Sequence, residues 1–291
     1  MRLPKFEYFA PRTLGEALRL LAEKGDGARI LAGGTDLLIR MKQGLIKPQA
    51  IISLEGISEL KTIRFAPKIG LTIGAMARLV EVTSHPDIRK HYPAVAYAAQ
   101  ETANVQVRNM GTVAGNLCNA APSADNAPTL MALGAEVTLA GPDGARRLPL
   151  DQFFKGPRLT ALAPEELLIS IFVPYPRAHS GSSYQHLSAR GKVDISAVCV
   201  GVMAAFDGET CREVRIVLGA VAPVPLRATT AEALLTGQPW TPELLSRAGE
   251  QAGEEAQPIS DVRASADYRK KMVPVLTRRA LVEAQKRARK R

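Results

Sequence analysis

Two stretches of this sequence could hold a phosphate without a charged side chain: "LAGGTDLL", from Leu31 to Leu38, and "VRNMGTVAGNLCNAAPSADNAP", from Val107 to Pro128. Each places bare or nearly bare residues (Ala32, Gly33 and Gly34; Gly111, Ala114 and Gly115) beside Thr35, or beside Thr112 and Asn116. Where side-chain bulk is missing, backbone N–H groups can approach a pyrophosphate closely, and threonine hydroxyls add neutral donors. Neither stretch is a Walker A loop (GxxxxGK followed by Ser or Thr) or a Rossmann turn (GxGxxG). The first runs into a helical pattern, whose opening N–H groups would face an anion. Asp36 argues against a free anion beside its own carboxylate, so its expected role is to cap that helix. Taken alone, the glycine pair fits a tight turn better than a phosphate cradle, and the two stretches together only suggest a dinucleotide.

Other chemistry is sparse. Cys118, Cys199 and Cys211 form no CxxC pair, and His85, His91, His179 and His186 show no HxxxH spacing. No disulfide framework, zinc site or iron–sulfur site is legible locally, and no metal is expected in this chain. The net charge of +10 invites a nucleic-acid reading, but Lys286, Arg287, Arg289, Lys290 and Arg291 supply half of it. Aromatic residues are 5% of the chain and are not interleaved with the basic ones, so a stacking surface for single strands is missing. A solvated basic tail over 286–291 is expected, with no nucleic-acid partner.

The 291 residues, 46% of them hydrophobic, suffice for two or three units with cores of their own. No apolar run approaches the roughly 18–20 residues of a membrane span, and "MRLPKFEYFAPR" lacks a secretory apolar region. A cytoplasmic protein is expected.

Thr13 and Glu16 have capping-box spacing ahead of an apolar stripe at Leu14, Leu18 and Leu21, with Gly25 to end the helix. A strand at 29–31, a helix at 35–43 ended by Gly44, and the strand "QAIISL" complete a β-α-β-α-β unit over 1–54. Strands then dominate 55–176: "LKTIRF", "GLTIGAMARL", a hairpin in "EVTLAGPDGARRLPL" turning at Pro142-Asp143-Gly144, and "ELLISIFVPYP". Helical spacing is expected at 93–105 and 127–133, flanking an irregular loop over 111–126 whose length suggests function. The breaker-rich "PYPRAHSGSS" at 174–183 reads as a linker. Beyond it, 177–285 reads as an α+β unit, with a hairpin at Asp207-Gly208 and helices at 229–236, at 242–255 and from Tyr268 onward.

The motifs "LAGGTDLL", "TIGA", "VRNMGTVAGNLCNAAPSADNAP" and "EELLISIFVPYP", in this order, resemble the FAD-binding subunit of molybdenum hydroxylases. That family includes the medium subunit of aerobic carbon monoxide dehydrogenase and the flavin domain of xanthine dehydrogenase, and the similarity covers essentially the whole chain. The resemblance implies an α+β, vanillyl-alcohol-oxidase (PCMH-type) FAD-binding fold of two subdomains, followed by an α+β C-terminal domain. It implies FAD between the first two subdomains, with Ala32, Gly33, Gly34, Thr35 and Asp36 as one pyrophosphate loop and Thr112, Val113, Ala114, Gly115 and Asn116 as the other. By the same resemblance Asp125 lies near the ribityl and pyrophosphate portion, and Leu168 lies beside the flavin ring.

The sequence departs from that family at several points. Ala114-Gly115 stands where Gly-Gly is frequent, and Tyr184-Gln185-His186 stands where Tyr-x-Lys is common, so His186 is either a flavin-side hydrogen-bond donor or a surface residue. "VDIS" places Ile195 where carbon monoxide dehydrogenases carry tyrosine. Three dispersed cysteines exclude the cysteine-rich insertion of some benzoyl-CoA-type reductases.

The resemblance further implies an electron-transfer role without a catalytic triad in this chain. Electrons would come from two [2Fe–2S] clusters in a small partner subunit, fed by a molybdenum cofactor in a large one, and pass to an acceptor such as NAD or a quinone. The expected assembly is a dimer of heterotrimers, a heterohexamer. A stand-alone FAD-dependent oxidoreductase of the same fold is the alternative, with little spare chain for a substrate pocket of its own.

Overall fold

The structure, a computed structural model, describes residues 3–190 and 194–290; Val193 of "VDIS" and Arg291 of the basic tail lie outside them. The first unit is a parallel three-stranded sheet in which Ala50–Ser53 lies between Glu7–Phe9 and Ala28–Leu31. Parallel strands require crossovers, and the helices Leu14–Lys24 and Leu37–Lys42 provide them. Thr13 Oγ1 accepts the Glu16 N–H at 3.2 Å, while the Glu16 carboxylate reaches past it to the Arg12 N–H at 2.9 Å. Ala17, Leu20 and Leu21 then bury against Ile52 and Leu54. The second helix begins at Leu37, two residues later than its sequence pattern suggests, because Thr35 and Asp36 complete the turn that Gly34 opens at φ +73°.

The second unit is antiparallel, in the order Ile63–Ala66, Gly70–Gly74, Leu167–Pro174, Glu136–Gly141, Gly144–Pro149. The hairpin turns at Pro142-Asp143, with Gly144 at φ +115°. Two expectations are corrected here. The helical pattern over 93–105 ends at Glu101, since Ala103 adopts φ +51° and a separate turn, Val105–Arg108, follows. The loop expected over 111–126 contains the helix Val113–Asn119, capped by Thr112 Oγ1 on the Gly115 N–H at 2.9 Å. Val113, Ala114 and Leu117 are buried and fix it in place; small residues disguise it as loop.

The third unit carries Ser180–Leu187, Val198–Asp207, Thr210–Gly219 and Leu226–Arg227 as an antiparallel meander. Its helices are Thr229–Leu235, Pro242–Glu255 and Ala266–Ala288. The linker is shorter than the run of breakers suggests, since Ser180–Ser183 already pair with Val202–Ala205. The basic tail is shorter too. Lys286 and Arg287 belong to the last helix, Ala288 is buried, and the Arg287 guanidinium donates to the Ser182 carbonyl at 2.8 Å and pairs with Glu283 at 2.7 Å.

The long helix covers one face of this sheet, and Asn126–Ala132 and Pro93–Glu101 of the second unit cover the other. The approach on that second face is close: a Cβ on Gly201 would stand 2.5 Å from the Pro128 carbonyl carbon. The Ala220 N–H donates to the Pro122 carbonyl at 2.8 Å, and Val217 packs into the second unit's core. Among the described residues, no helix is long and apolar enough to cross a membrane.

Candidate cofactor-binding cleft

The two glycine stretches, far apart in sequence, meet across one cleft. It has a volume of about 520 Å³ and lies between the first and second units, with Asp194 and Ile195 of the third on its wall. The first turn is seated backbone on backbone. A Cβ on Gly33 would fall 2.0 Å from the Met110 carbonyl oxygen and 2.8 Å from the Gly111 Cα, and Thr35 Oγ1 stands against Gly111 from the same side. Glycine at 33 is therefore required by this contact whether or not a ligand is bound. The second turn is held in its own right, Gly111 accepting the Leu79 N–H at 2.9 Å and Thr112 capping the helix that follows.

Of the residues singled out in the sequence, Ala32, Gly33, Gly34, Thr35, Asp36, Thr112, Ala114, Gly115, Asn116, Asp125 and Leu168 line the cleft. Val113 and His186 do not. Val113 is fully buried beneath the turn and supports it from the core. His186 packs behind the wall, its Nε2 3.2 Å from Glu101 Oε2 and its ring stacked on Tyr184 at 5.8 Å.

Asp36 also differs from expectation. Its backbone is already helical (φ −101°, ψ −47°) and its side chain makes no cap bond. Instead its Oδ1 accepts the Asn119 side-chain amide at 3.0 Å, tying the first turn to the end of the helix that follows the second. Burial pushes the Asp36 carboxyl above its usual value, and the Arg158 and Arg40 guanidiniums oppose that. Arg158 comes from a hairpin over this end and also reaches Asn119 Oδ1 at 3.5 Å. For the FAD that the resemblance implies, replacing Asn119 by alanine is expected to weaken retention about tenfold, the loss of one hydrogen bond to a charged group, with the melting temperature little changed. Titrating the released flavin by fluorescence checks this; undiminished retention would show that the bridge does not shape the cleft.

Asp125 is 8% exposed, and its Oδ1 accepts the hydroxyls of Tyr184 and Ser196, each at 2.6 Å. Burial pushes its carboxyl up, and the two hydroxyls pull it back. Its neighbour Asn126 donates to Asn116 Oδ1 at 3.0 Å and to Thr102 Oγ1 at 3.1 Å, fixing the side chains of two cleft residues. At Asp194 the Arg190 guanidinium, followed by the Ile195 N–H, holds the carboxyl below the usual carboxylate range.

Cys118, Asn119, Leu79 and Leu162 also line the cleft and were not legible in advance. Cys118 is a half-buried thiol that burial pushes up to about 12, so it is no thiolate at neutral pH. The lining thus combines bare backbone, neutral hydroxyls and amides, four carboxylates (Asp36, Asp125, Glu166 and Asp194), the cations Arg29 and Arg40, and apolar wall from Leu79, Leu162, Leu167, Leu168 and Ile195. Such a set suits a long ligand with both an anionic and an aromatic portion.

Comparison with known proteins agrees. Residues 4–176 match the family described as FAD binding domain in molybdopterin dehydrogenase, and residues 182–284 match the CO dehydrogenase flavoprotein C-terminal domain. The chain is 36% identical over 278 residues to the carbon monoxide dehydrogenase medium chain of Hydrogenophaga pseudoflava, covering 96% of each. It is 31% identical to the putative xanthine dehydrogenase FAD-binding subunit of Escherichia coli K12, covering 95% of each. Its fold superposes on a chain of the Hydrogenophaga pseudoflava carbon monoxide dehydrogenase with a TM-score of 0.95, at 37% identity and 99% coverage of both. Against a chain of quinoline 2-oxidoreductase from Pseudomonas putida 86 the TM-score is 0.92, at 31% identity and 99% coverage of both.

Proposed function

We propose, from the premise that this chain belongs to the family of FAD-binding subunits of molybdopterin dehydrogenases, that it is the electron-output subunit of a multi-subunit molybdenum hydroxylase. In this reading electrons leave a molybdenum cofactor in a large partner, pass two [2Fe–2S] clusters in a small one, and exit through the FAD held here to an acceptor such as NAD or a quinone. The three chains assemble as a dimer of heterotrimers in the cytoplasm. The observation that carries the reading is the meeting of two distant small-residue turns on one cleft, held in register by the Gly33–Met110 backbone contact.

The residues present fit FAD. Ala32 to Thr35 and Thr112 to Asn116 offer backbone N–H groups, hydroxyls and an amide to the pyrophosphate, and the absence of Cβ atoms at 33, 34 and 115 keeps that surface low. Arg29 and Arg40 add positive charge on the same cleft. Leu168 and its apolar neighbours exclude water from the flavin portion, and Asp125 offers an acceptor to a cofactor hydroxyl. Bound FAD supplies an electron store that fills and empties singly or in pairs. The chain's own work is binding, orientation and water exclusion; none of its residues is assigned proton transfer to an organic substrate.

The test is isolation of the native assembly under mild conditions, with mass spectrometry of the chains and metal analysis. Co-purification with a molybdenum-containing large chain and an iron-rich small one is expected, as is flavin reduction by substrate only in the whole assembly. Substrate turnover by the purified chain alone would overturn the reading in favour of a self-contained oxidoreductase.

A further inference from the structure

A buried line of hydrogen bonds starts at the cleft wall and ends outside it. Asp125 Oδ1 takes the Ser196 hydroxyl at 2.6 Å, Ser196 Oγ lies 3.3 Å from His186 Nδ1, and His186 Nε2 lies 3.2 Å from Glu101 Oε2. The side chains of His186 and Glu101 are 15% and 7% exposed. Asp125 and Glu101 belong to the FAD-binding half, Ser196 and His186 to the C-terminal unit. Two contacts of this one line therefore cross the junction.

With Asp125 and Glu101 taken as ionised, counting protons along the line assigns each donor. A carboxylate only accepts, and a serine hydroxyl has a single proton to give. Ser196 spends its proton on Asp125, so the contact with Nδ1 requires that the ring donate there. Glu101 likewise requires a donor at Nε2. That count places a proton on each ring nitrogen, with the Tyr184 ring stacked on the imidazole. Removal of the Nδ1 proton would draw the Ser196 hydroxyl toward the ring. Asp125 and Ser196 would then face each other oxygen to oxygen at 2.6 Å with no proton between them, and Asp125 would have to turn away or take up a proton.

We infer that His186 is a positioning residue: through Ser196 it holds Asp125 as an ionised hydrogen-bond acceptor on the cleft wall, and it thereby makes cofactor affinity depend on pH. The inference rests on the reading of the cleft as the FAD site. Since Oδ1 already takes two hydroxyls, Oδ2 is the atom left for a cofactor hydroxyl. The ionisable groups around the ring come from every packed element. They are Glu101 and Tyr97 on Pro93–Glu101, Asp125 ahead of Asn126–Ala132, Tyr184 on its own strand, Cys199 opposite it in register, and Arg287 on the long helix acting on Tyr97. Burial pushes Tyr97, Tyr184 and Cys199 upward, so these three stay neutral at ordinary pH.

The experiment measures FAD dissociation from the full-length chain by flavin fluorescence between about pH 6 and about pH 9. The variants are His186→Gln, His186→Lys and Ser196→Ala, each checked for fold by circular dichroism. For the native chain, affinity is expected to fall about tenfold toward the alkaline end, the cost of one hydrogen bond to a charged acceptor. His186→Gln should bind weakly with a flat profile. His186→Lys, which keeps a charge throughout the window, should bind tightly with a flat profile. Ser196→Ala, which cuts the line but spares the His186–Glu101 pair, should also be flat, so a fold defect in the glutamine variant alone does not decide the matter. A flat profile in the native chain, or a native-like slope in His186→Gln or Ser196→Ala, overturns the inference and leaves the cleft assignment standing. Failure of the native chain to rebind FAD at any pH overturns both.

Discussion

Replacing Gly33 by alanine empties the cleft of flavin. The new Cβ would fall 2.0 Å from the Met110 carbonyl oxygen, 2.6 Å from its carbon and 2.8 Å from the Gly111 Cα. All three are backbone atoms, so no rotamer relieves the clash, and one turn must retreat from the other by about 1 Å. A displacement of that order costs on the order of a hundredfold in a site that depends on backbone donors. The overpacking itself costs about 1–3 kcal/mol of stability. The expected result is a colourless protein with a lowered melting point that excess FAD does not restore, read from the ratio of flavin to protein absorbance and from thermal melts. Gly15→Ala is the control: a Cβ there meets nothing within 4 Å and lies away from the cleft, and that variant should stay yellow. A Gly33→Ala protein with full flavin occupancy would remove the backbone contact from any role in shaping the site.

Replacing Arg269 by alanine has the largest expected effect on stability. This guanidinium is 3% exposed and donates to the carbonyls of Ala197 at 3.0 Å and Ala220 at 2.9 Å, and to Asp261 Oδ1 at 2.6 Å. Truncation strands two buried carbonyls and a carboxylate, which costs about 3–5 kcal/mol. The damage reaches the cleft, because Ala197 follows Ser196 and the Ala220 N–H holds Pro122. Flavin affinity should therefore weaken along with stability. Asp261 gives a pH signature. Its partial burial pushes the carboxyl up, but the N–H of Arg263, the Arg269 guanidinium and the N–H of Ala264 outweigh that and hold it well below the usual 3.8. A carboxyl whose value is lower in the folded state than in the unfolded one stabilises the fold above the unfolded value, and that stability drains away as pH falls below it. Urea unfolding of the native chain at pH 7 and at about pH 3 should show this loss, and the Arg269→Ala chain should show less of it. Equal acid sensitivity in the two proteins would detach Asp261 from Arg269.

Features specified by neighbours in sequence were legible there. Thr13 and Glu16 announce the first helix, Pro142-Asp143-Gly144 the hairpin, and the glycine pair a turn. What escaped is set by tertiary contact. Five of the seven residues of Val113–Asn119 (Val113, Gly115, Asn116, Cys118 and Asn119) have low helical preference, and the segment is helical because Thr112 caps it and Val113, Ala114 and Leu117 bury. Asp36 looks like a cap from its position, yet its partner Asn119 is 83 residues away. His186 could be assigned to the flavin or to the surface because nothing nearby in the chain identifies Glu101 as its partner. Eleven of the thirteen residues singled out reach the cleft wall, because small residues beside threonine are needed wherever backbone must approach a ligand.

Asp125 lies in the segment matched by the FAD-binding family and takes both hydroxyls of its Oδ1 from the segment matched by the C-terminal one. A crossover between 176 and 182 would thus be clean in the chain and disruptive in its chemistry. A chimera that grafts a relative's C-terminal unit onto this N-terminal half would receive half of a shared site, unless its tyrosine and serine arrive in the same places. Substitutions at 101, 125, 184, 186 and 196 are expected to depend on one another across the junction.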